Sequence, residues 1–95
     1  MHAVIRKYTA APSVVAEAKP QLPDLEQTMR KTPGFVAYYV IDTEDGLTTI
    51  TVAEDEAGTT ESMGRAASWA KQHMPNSKLG APEVTKGQML INATR

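Results

Sequence analysis

Apolar positions recur along this chain with two different periods, and the changes of period mark the elements. Residues 3 to 8, Ala-Val-Ile-Arg-Lys-Tyr, form a short β-branched and aromatic run that suits a first strand. Pro12 and Ser13 stand where a helix would open. Behind them Val14, Val15, Ala18, Leu22, Leu25 and Met29 fall within roughly 100° of one another at 3.6 residues per turn, the stripe of a helix facing a core. Pro20 and Pro23 each remove a backbone donor and crowd the preceding turn, so the spacing predicts a break between them. Asp24 followed by Gln27 resembles a capping arrangement from which a second piece would restart and run to Lys31, with Pro33-Gly34 ending it.

Phe35 to Ile41 and Leu47 to Ala53 both have strand composition, and the Asp42–Gly46 segment between them supplies turn chemistry, which predicts a β-hairpin. From about Ala57 to Met74 the helical period returns, with Met63, Ala66, Ala67, Ala70 and Met74 as one stripe and Glu61 with Arg65 as an exposed pair four residues apart. Pro75-Asn76 closes this helix, a polar loop runs to Pro82, and Glu83 to Asn92 reads as a last strand. The acidic run Glu54-Asp55-Glu56 is placed to favour the N-terminus of the helix that follows it.

The order βαββαβ is that of an α+β, ferredoxin-like fold, a four-stranded antiparallel sheet carrying both helical segments on one face. Simple alternation in the second strand points Phe35, Ala37, Tyr39 and Ile41 one way and Val36, Tyr38 and Val40 the other. Both faces are then apolar, where a solvated face would alternate with polar residues. Sheet-on-sheet packing in a symmetric homodimer is the expected cover for the second face.

Composition narrows the function classes. The chain has 95 residues, a length suited to one domain spanning 1–95, with 22% charged and 41% hydrophobic residues. A formal net charge of −1, with acids and bases scattered, gives no field that would draw in nucleic acid or an anionic membrane. The sequence contains no cysteine, so disulfides, thiolate nucleophiles and thiolate metal sites are excluded. The start Met1-His2-Ala3-Val4-Ile5-Arg6 brings charge too soon for a signal peptide, and no apolar stretch approaches membrane-spanning length, so a cytoplasmic location is expected.

Several local signatures resemble the dimeric α+β barrel superfamily, and within it antibiotic-biosynthesis-monooxygenase-like proteins. They are Pro33-Gly34-Phe35 leading into Tyr38-Tyr39, the Asp42–Gly46 turn, Glu61-Ser62 and Ala66-Ala67-Ser68-Trp69 in the last helix, and Pro82-Glu83-Val84 with Gly87. The resemblance implies a dimer whose two sheets pack into a barrel, with a ligand cavity in each subunit between helices and sheet. In the monooxygenases it points to, a tryptophan on that helix, with asparagine, tyrosine and arginine nearby, holds a polyketide-like phenol that reacts with dioxygen without metal or flavin. Trp69 matches the tryptophan, and Arg65 stands four residues before it, where the family carries asparagine.

The candidate site follows from residue types. Trp69, the sole tryptophan, shares a helix edge with Ser62, Ala66 and His73, where an indole can either line a cleft or pack. His73 titrates near neutrality and is a candidate acid or base, or else a dipole partner at the helix end. Tyr38 and Tyr39 point to opposite faces, one toward the cavity and one toward the dimer interface. Trp69 and His73 are therefore the catalytic candidates, and Tyr38, Tyr39, Ser62 and Arg65 the ligand-binding ones. No metal site is expected, since His2 and His73 lie far apart and no cluster has ligand spacing. No cofactor is expected either.

Three readings stand. The first is a cofactor-independent monooxygenase-like enzyme acting on a small aromatic or quinol-type molecule. The second is a non-catalytic dimeric module that binds a small ligand or serves as an accessory subunit. The third is a haem-binding variant, for which the resembling branch would need a histidine further past the tryptophan and an asparagine on the first strand, where this chain has Arg6 and Lys7.

Overall fold

A computed structural model describes residues 1–76 and 79–95. The elements are β1 (His2–Thr9), α1 (Pro12–Ala18), one 3-10 turn (Lys19–Gln21), α2 (Leu22–Arg30), β2 (Phe35–Thr43), β3 (Gly46–Ala53), α3 (Glu56–His73) and β4 (Glu83–Gln88). All neighbouring strands are antiparallel in the order β2-β3-β1-β4, with β1 and β3 at the centre. This is the α+β ferredoxin-like architecture, a four-stranded antiparallel sheet with its helices on one face. No helix among the described residues is long and apolar enough to cross a membrane.

The helical break falls at the two prolines, but the restart differs from the expected one. The second piece begins at Leu22, with Pro23 in its first turn, where a missing N–H costs nothing because that donor has no partner in any helix. Asp24 therefore lies inside the helix, and its carboxylate is free to bond elsewhere. Lys19 in the connecting turn pairs with Asp42 of β2 at 3.2 Å.

The hairpin closes through Glu44-Asp45, tighter than the sequence suggested. Gly46 has φ of +157°, and a β-carbon there would run into the carbonyl oxygen of Tyr8 on β1, so only glycine fits. A register shift between Phe35 and Ala37 corrects the simple alternation of β2. One extra residue in the strand returns the side chain before the bulge to the face after it. Phe35, Tyr38 and Val40 thus pack against the core together, while Val36, Tyr39 and Ile41 are exposed.

The core lies between sheet and helices and is built on Ala18, Leu25, Met29, Ala66, Trp69 and Met74. The buried line of α3 is Gly58, Thr59, Ser62, Ala66 and Trp69, rotated from the expected stripe so that Ala67 faces out and Trp69 faces in. Asp55 caps this helix, accepting from the Gly58 amide at 2.8 Å. Buried His2 ties β1 to the same turn, its Nδ1 lying 2.8 Å from Oγ1 of Thr59. Glu61 and Arg65 pair at 3.0 Å.

β4 ends at Gln88, short of Asn92. Its partner β1 starts at His2, which pairs with Gln88, and a final bond from the Met89 amide to the Met1 carbonyl uses up the template. Beyond that point Leu90 and Ile91 are 93% and 83% exposed.

Candidate functional site

On the helix-facing side of the sheet, period-two alternation lines up Arg6 and Tyr8 of β1, Leu47 and Thr49 of β3, and Tyr38 and Val40 of β2. Arg6 and Thr49 are directly opposed across the β1–β3 ladder, and Thr49 is opposed to Val40 on its other side. Val14, Ala18, Leu22 and Leu25 roof this patch, and Ala66, Trp69, Ala70 and Met74 wall it, lining a partly open cavity of about 80 Å³. Among the described residues its lining is aliphatic and aromatic except for the Arg6 guanidinium and the hydroxyls of Thr49, Tyr8 and Tyr38.

The electrostatics of the cavity centre on Arg6. Its guanidinium carbon lies 5.5 Å from the centroid of the Tyr8 ring, within cation–π range. Burial pushes the Tyr38 hydroxyl up to about 12, against the lowering pull of Arg6. Burial likewise raises Tyr8, again opposed by Arg6. Both phenols are therefore neutral donors at neutral pH. Two buried polar atoms of the lining, Nε of Arg6 and Oγ1 of Thr49, have no hydrogen-bond partner among the described residues.

Trp69 lies at the boundary between this cavity and the outer surface. The residue is 6% exposed and lines the cavity, while its Nε1 donates to Oδ2 of Asp24 at 2.8 Å. His73 stacks on it, ring centroids 4.6 Å apart, and its Nε2 sits 3.3 Å from the same Asp24 oxygen. His73 is not part of the cavity lining; it belongs to an open cleft of about 310 Å³ between α2 and α3, shared with Arg65. Arg65 is engaged there by Glu61 and by the Lys31 carbonyl at 3.4 Å. Ser62 is fully buried, its hydroxyl unpartnered among the described residues. Tyr39 is 54% exposed, on the sheet face away from Tyr38.

The structure thus brings Tyr38 and Trp69 into one cavity, sets His73 and Arg65 outside it, and puts Tyr39 on the opposite face. Arg6, Tyr8 and Thr49 were not among the sequence candidates. The alternation Val4, Arg6, Tyr8 along β1 carried the signal, since Val4 is buried and the other two share its face. A larger groove of about 400 Å³ runs along the edge of β2 past Glu26 and Arg30, but its lining includes none of the unpartnered buried atoms. Among the described residues no three His, Cys, Asp or Glu side chains gather as a metal site would need.

No protein-family model matches the chain, and no curated protein matches it in sequence. Solved structures do. A protein of unknown function from Nitrosomonas europaea superposes with a TM-score of 0.81 at 16% identity, covering 99% of this chain and 93% of its own. A monooxygenase of Streptomyces coelicolor, in complex with the ligand nanaomycin D, gives a TM-score of 0.68 at 16% identity, covering 99% of this chain and 90% of its own. An MhuD variant carrying two manganese protoporphyrin IX molecules per active site gives 0.77 at 12% identity over the whole of both chains. At such identities the likeness is one of fold: the chain has the ferredoxin-like fold of the antibiotic biosynthesis monooxygenases.

Proposed function

We propose that the chain binds a small aromatic or quinol-type molecule in the cavity beneath α1, α2 and α3, and does so as a face-to-face homodimer. The observation that carries this is the convergence of three aromatic rings, Tyr8, Tyr38 and Trp69, on one otherwise aliphatic cavity with few polar groups. Apolar walls with a small number of placed donors are the usual make-up of a small-molecule site. Its size is below the ~300–1,000 Å³ of drug-sized sites, which selects a ligand of about one ring or requires the α1 roof to move. The fold neighbour seen with nanaomycin D supports the same chemical class.

Oxygenation of that ligand is the activity this reading carries. A phenol converted to a quinone gives up four electrons, which reduce one dioxygen to one ring oxygen and one water, so no flavin or metal is needed for balance. Tyr38 and Tyr8 donate to the ligand oxygen, and Trp69 supplies the face on which the ring stacks. His73 has no access from the cavity side, so the proton leaves by another route. The cavity as it stands, about 80 Å³, is smaller than a porphyrin, and His73 faces the outer cleft with its Nε2 beside Asp24 rather than the cavity.

Titration of phenols, hydroquinones and their naphthalene analogues, followed by NMR and by oxygen consumption, tests the reading. Shifts confined to the cavity residues, with oxygen uptake lost in Tyr38→Phe, are expected. Binding without uptake assigns a non-catalytic ligand-binding role. Absence of binding across the panel refutes the reading.

The homodimer rests on the face away from the helices, where Ile5 opposes Ile50 and Ile50 opposes Tyr39, with Ile41 nearby. Ile5, Ile41 and Tyr39 are 38%, 44% and 54% exposed in the single chain. An apolar row of this length is what one sheet presents to another.

A further inference from the structure

We infer that the cavity takes a ligand carrying an oxyanion on its apolar body, with the Arg6 guanidinium and the Thr49 hydroxyl as the anion subsite. The inference rests on the reading of this cavity as a ligand site and names the charge class of the ligand.

Among the described residues Arg6 is the only formally charged one of the lining, and no acidic side chain lines it. None of the ion pairs among the described residues involves it. Arg6 is half-buried with its Nε fully so, and a guanidinium set against apolar walls loses part of its hydration, a loss that proteins ordinarily compensate with a carboxylate. Among the described residues that compensation is limited to the Tyr8 ring, and Nε has no acceptor.

Thr49 adds an independent observation. It is 6% exposed, its hydroxyl is unpartnered, and the ladder register sets it directly across from Arg6. A forked cation and a hydroxyl side by side are a donor set with no acceptor between them. Tyr38, kept protonated by burial, adds a third donor. Delocalised oxyanions, a carboxylate or an ionised acidic hydroxyl, match the planar fork of arginine better than a neutral carbonyl or amide does.

Benzoate and benzamide, near-isosteres that differ in charge, provide the test, with pentafluorophenol and phenol as a second matched pair to separate a carboxylate from an ionised hydroxyl. NMR titration of the full chain reads their affinities. Benzoate is expected to bind at least tenfold tighter than benzamide. That preference should vanish in Arg6→Gln, persist in part in Arg6→Lys, and fall severalfold in Thr49→Val. Equal affinity of the anionic and neutral members in the wild-type protein overturns the anion subsite while leaving the cavity a ligand site. Failure of every probe to shift the cavity residues overturns both. Should Arg6→Gln fail to fold, the wild-type comparison and Arg6→Lys still decide.

Discussion

Nε1 of Trp69 donates a 2.8 Å hydrogen bond to Oδ2 of Asp24, a contact between residues 45 apart in sequence that fastens α3 to α2. The cavity wall and the helix–helix seam thus share one indole. Because the indole donor is buried while the Asp24 carboxylate is 62% exposed, Asp24→Ala is expected to cost about 1–2 kcal/mol, less than a fully buried bond would. Urea denaturation measures it. Trp69→Phe in the Asp24→Ala background should add less than it does alone, since the bond is already gone.

Tyr38 gives the stability curve an alkaline edge. Its folded pKa of about 12 lies above the unfolded value of 10.0, so the folded state holds the proton more tightly. The contribution is complete below pH 10 and is lost as pH rises toward 12, on the order of 3 kcal/mol in all. Tyr8 shifts the same way and adds to the slope. Tyr38→Phe should flatten the fall between those limits, as read by denaturation at stepped pH alongside a phenolate absorbance titration.

Two glycines on α3 should answer to alanine with opposite signs. A β-carbon at Gly58 would lie 2.7 Å from Cβ of Ala53, so Gly58→Ala forces helix and strand apart and should destabilise by about 1–3 kcal/mol. Gly64 has nothing within 4 Å of the same position, and Gly64→Ala should stabilise by up to ~1 kcal/mol through helix propensity. Denaturant midpoints compare the two directly.

The proposed dimer is open to a charge test. Ile5→Glu and Tyr39→Asp place carboxylates on the face away from the helices, where both positions are solvent-accessible in the single chain. Sedimentation should show the wild-type protein as a dimer and either variant as a folded monomer with unchanged circular dichroism. A monomeric wild-type protein at tens of micromolar would refute the assembly.

The element order was legible because its signals are local: strand composition flanking an acidic turn, prolines at helix openings, and apolar stripes. What escaped was set by contacts between elements. The bulge at Val36 depends on how β2 meets β3, and no residue type announces it. The end of β4 depends on where β1 begins, which Glu83 to Asn92 does not encode. In the last helix, Thr59 and Ser62 are buried although polar, which turned the true core line away from the apolar residues and drew Trp69 inward. Arg6 was readable by alternation, yet a charge in a strand is ordinarily assigned to solvent. Pairing Tyr38 and Trp69 in one cavity needed the three-dimensional arrangement of β2 and α3.

The broken helix has a consequence for how the cavity could widen to admit a ligand. Pro20 and Pro23 withhold two amide donors from the segment joining α1 to α2, and that joint is tethered on its strand side by the exposed Lys19–Asp42 pair. The central ladders and α3 are long, so opening the cavity from their side would break a ladder or a long helix. Lifting the seven residues of α1 breaks little more than the contacts of Val14, Val15 and Ala18. Entry should therefore be gated at this joint, and amide exchange in α1 should run well ahead of exchange in β1, β3 and α3 and slow when the cavity is filled.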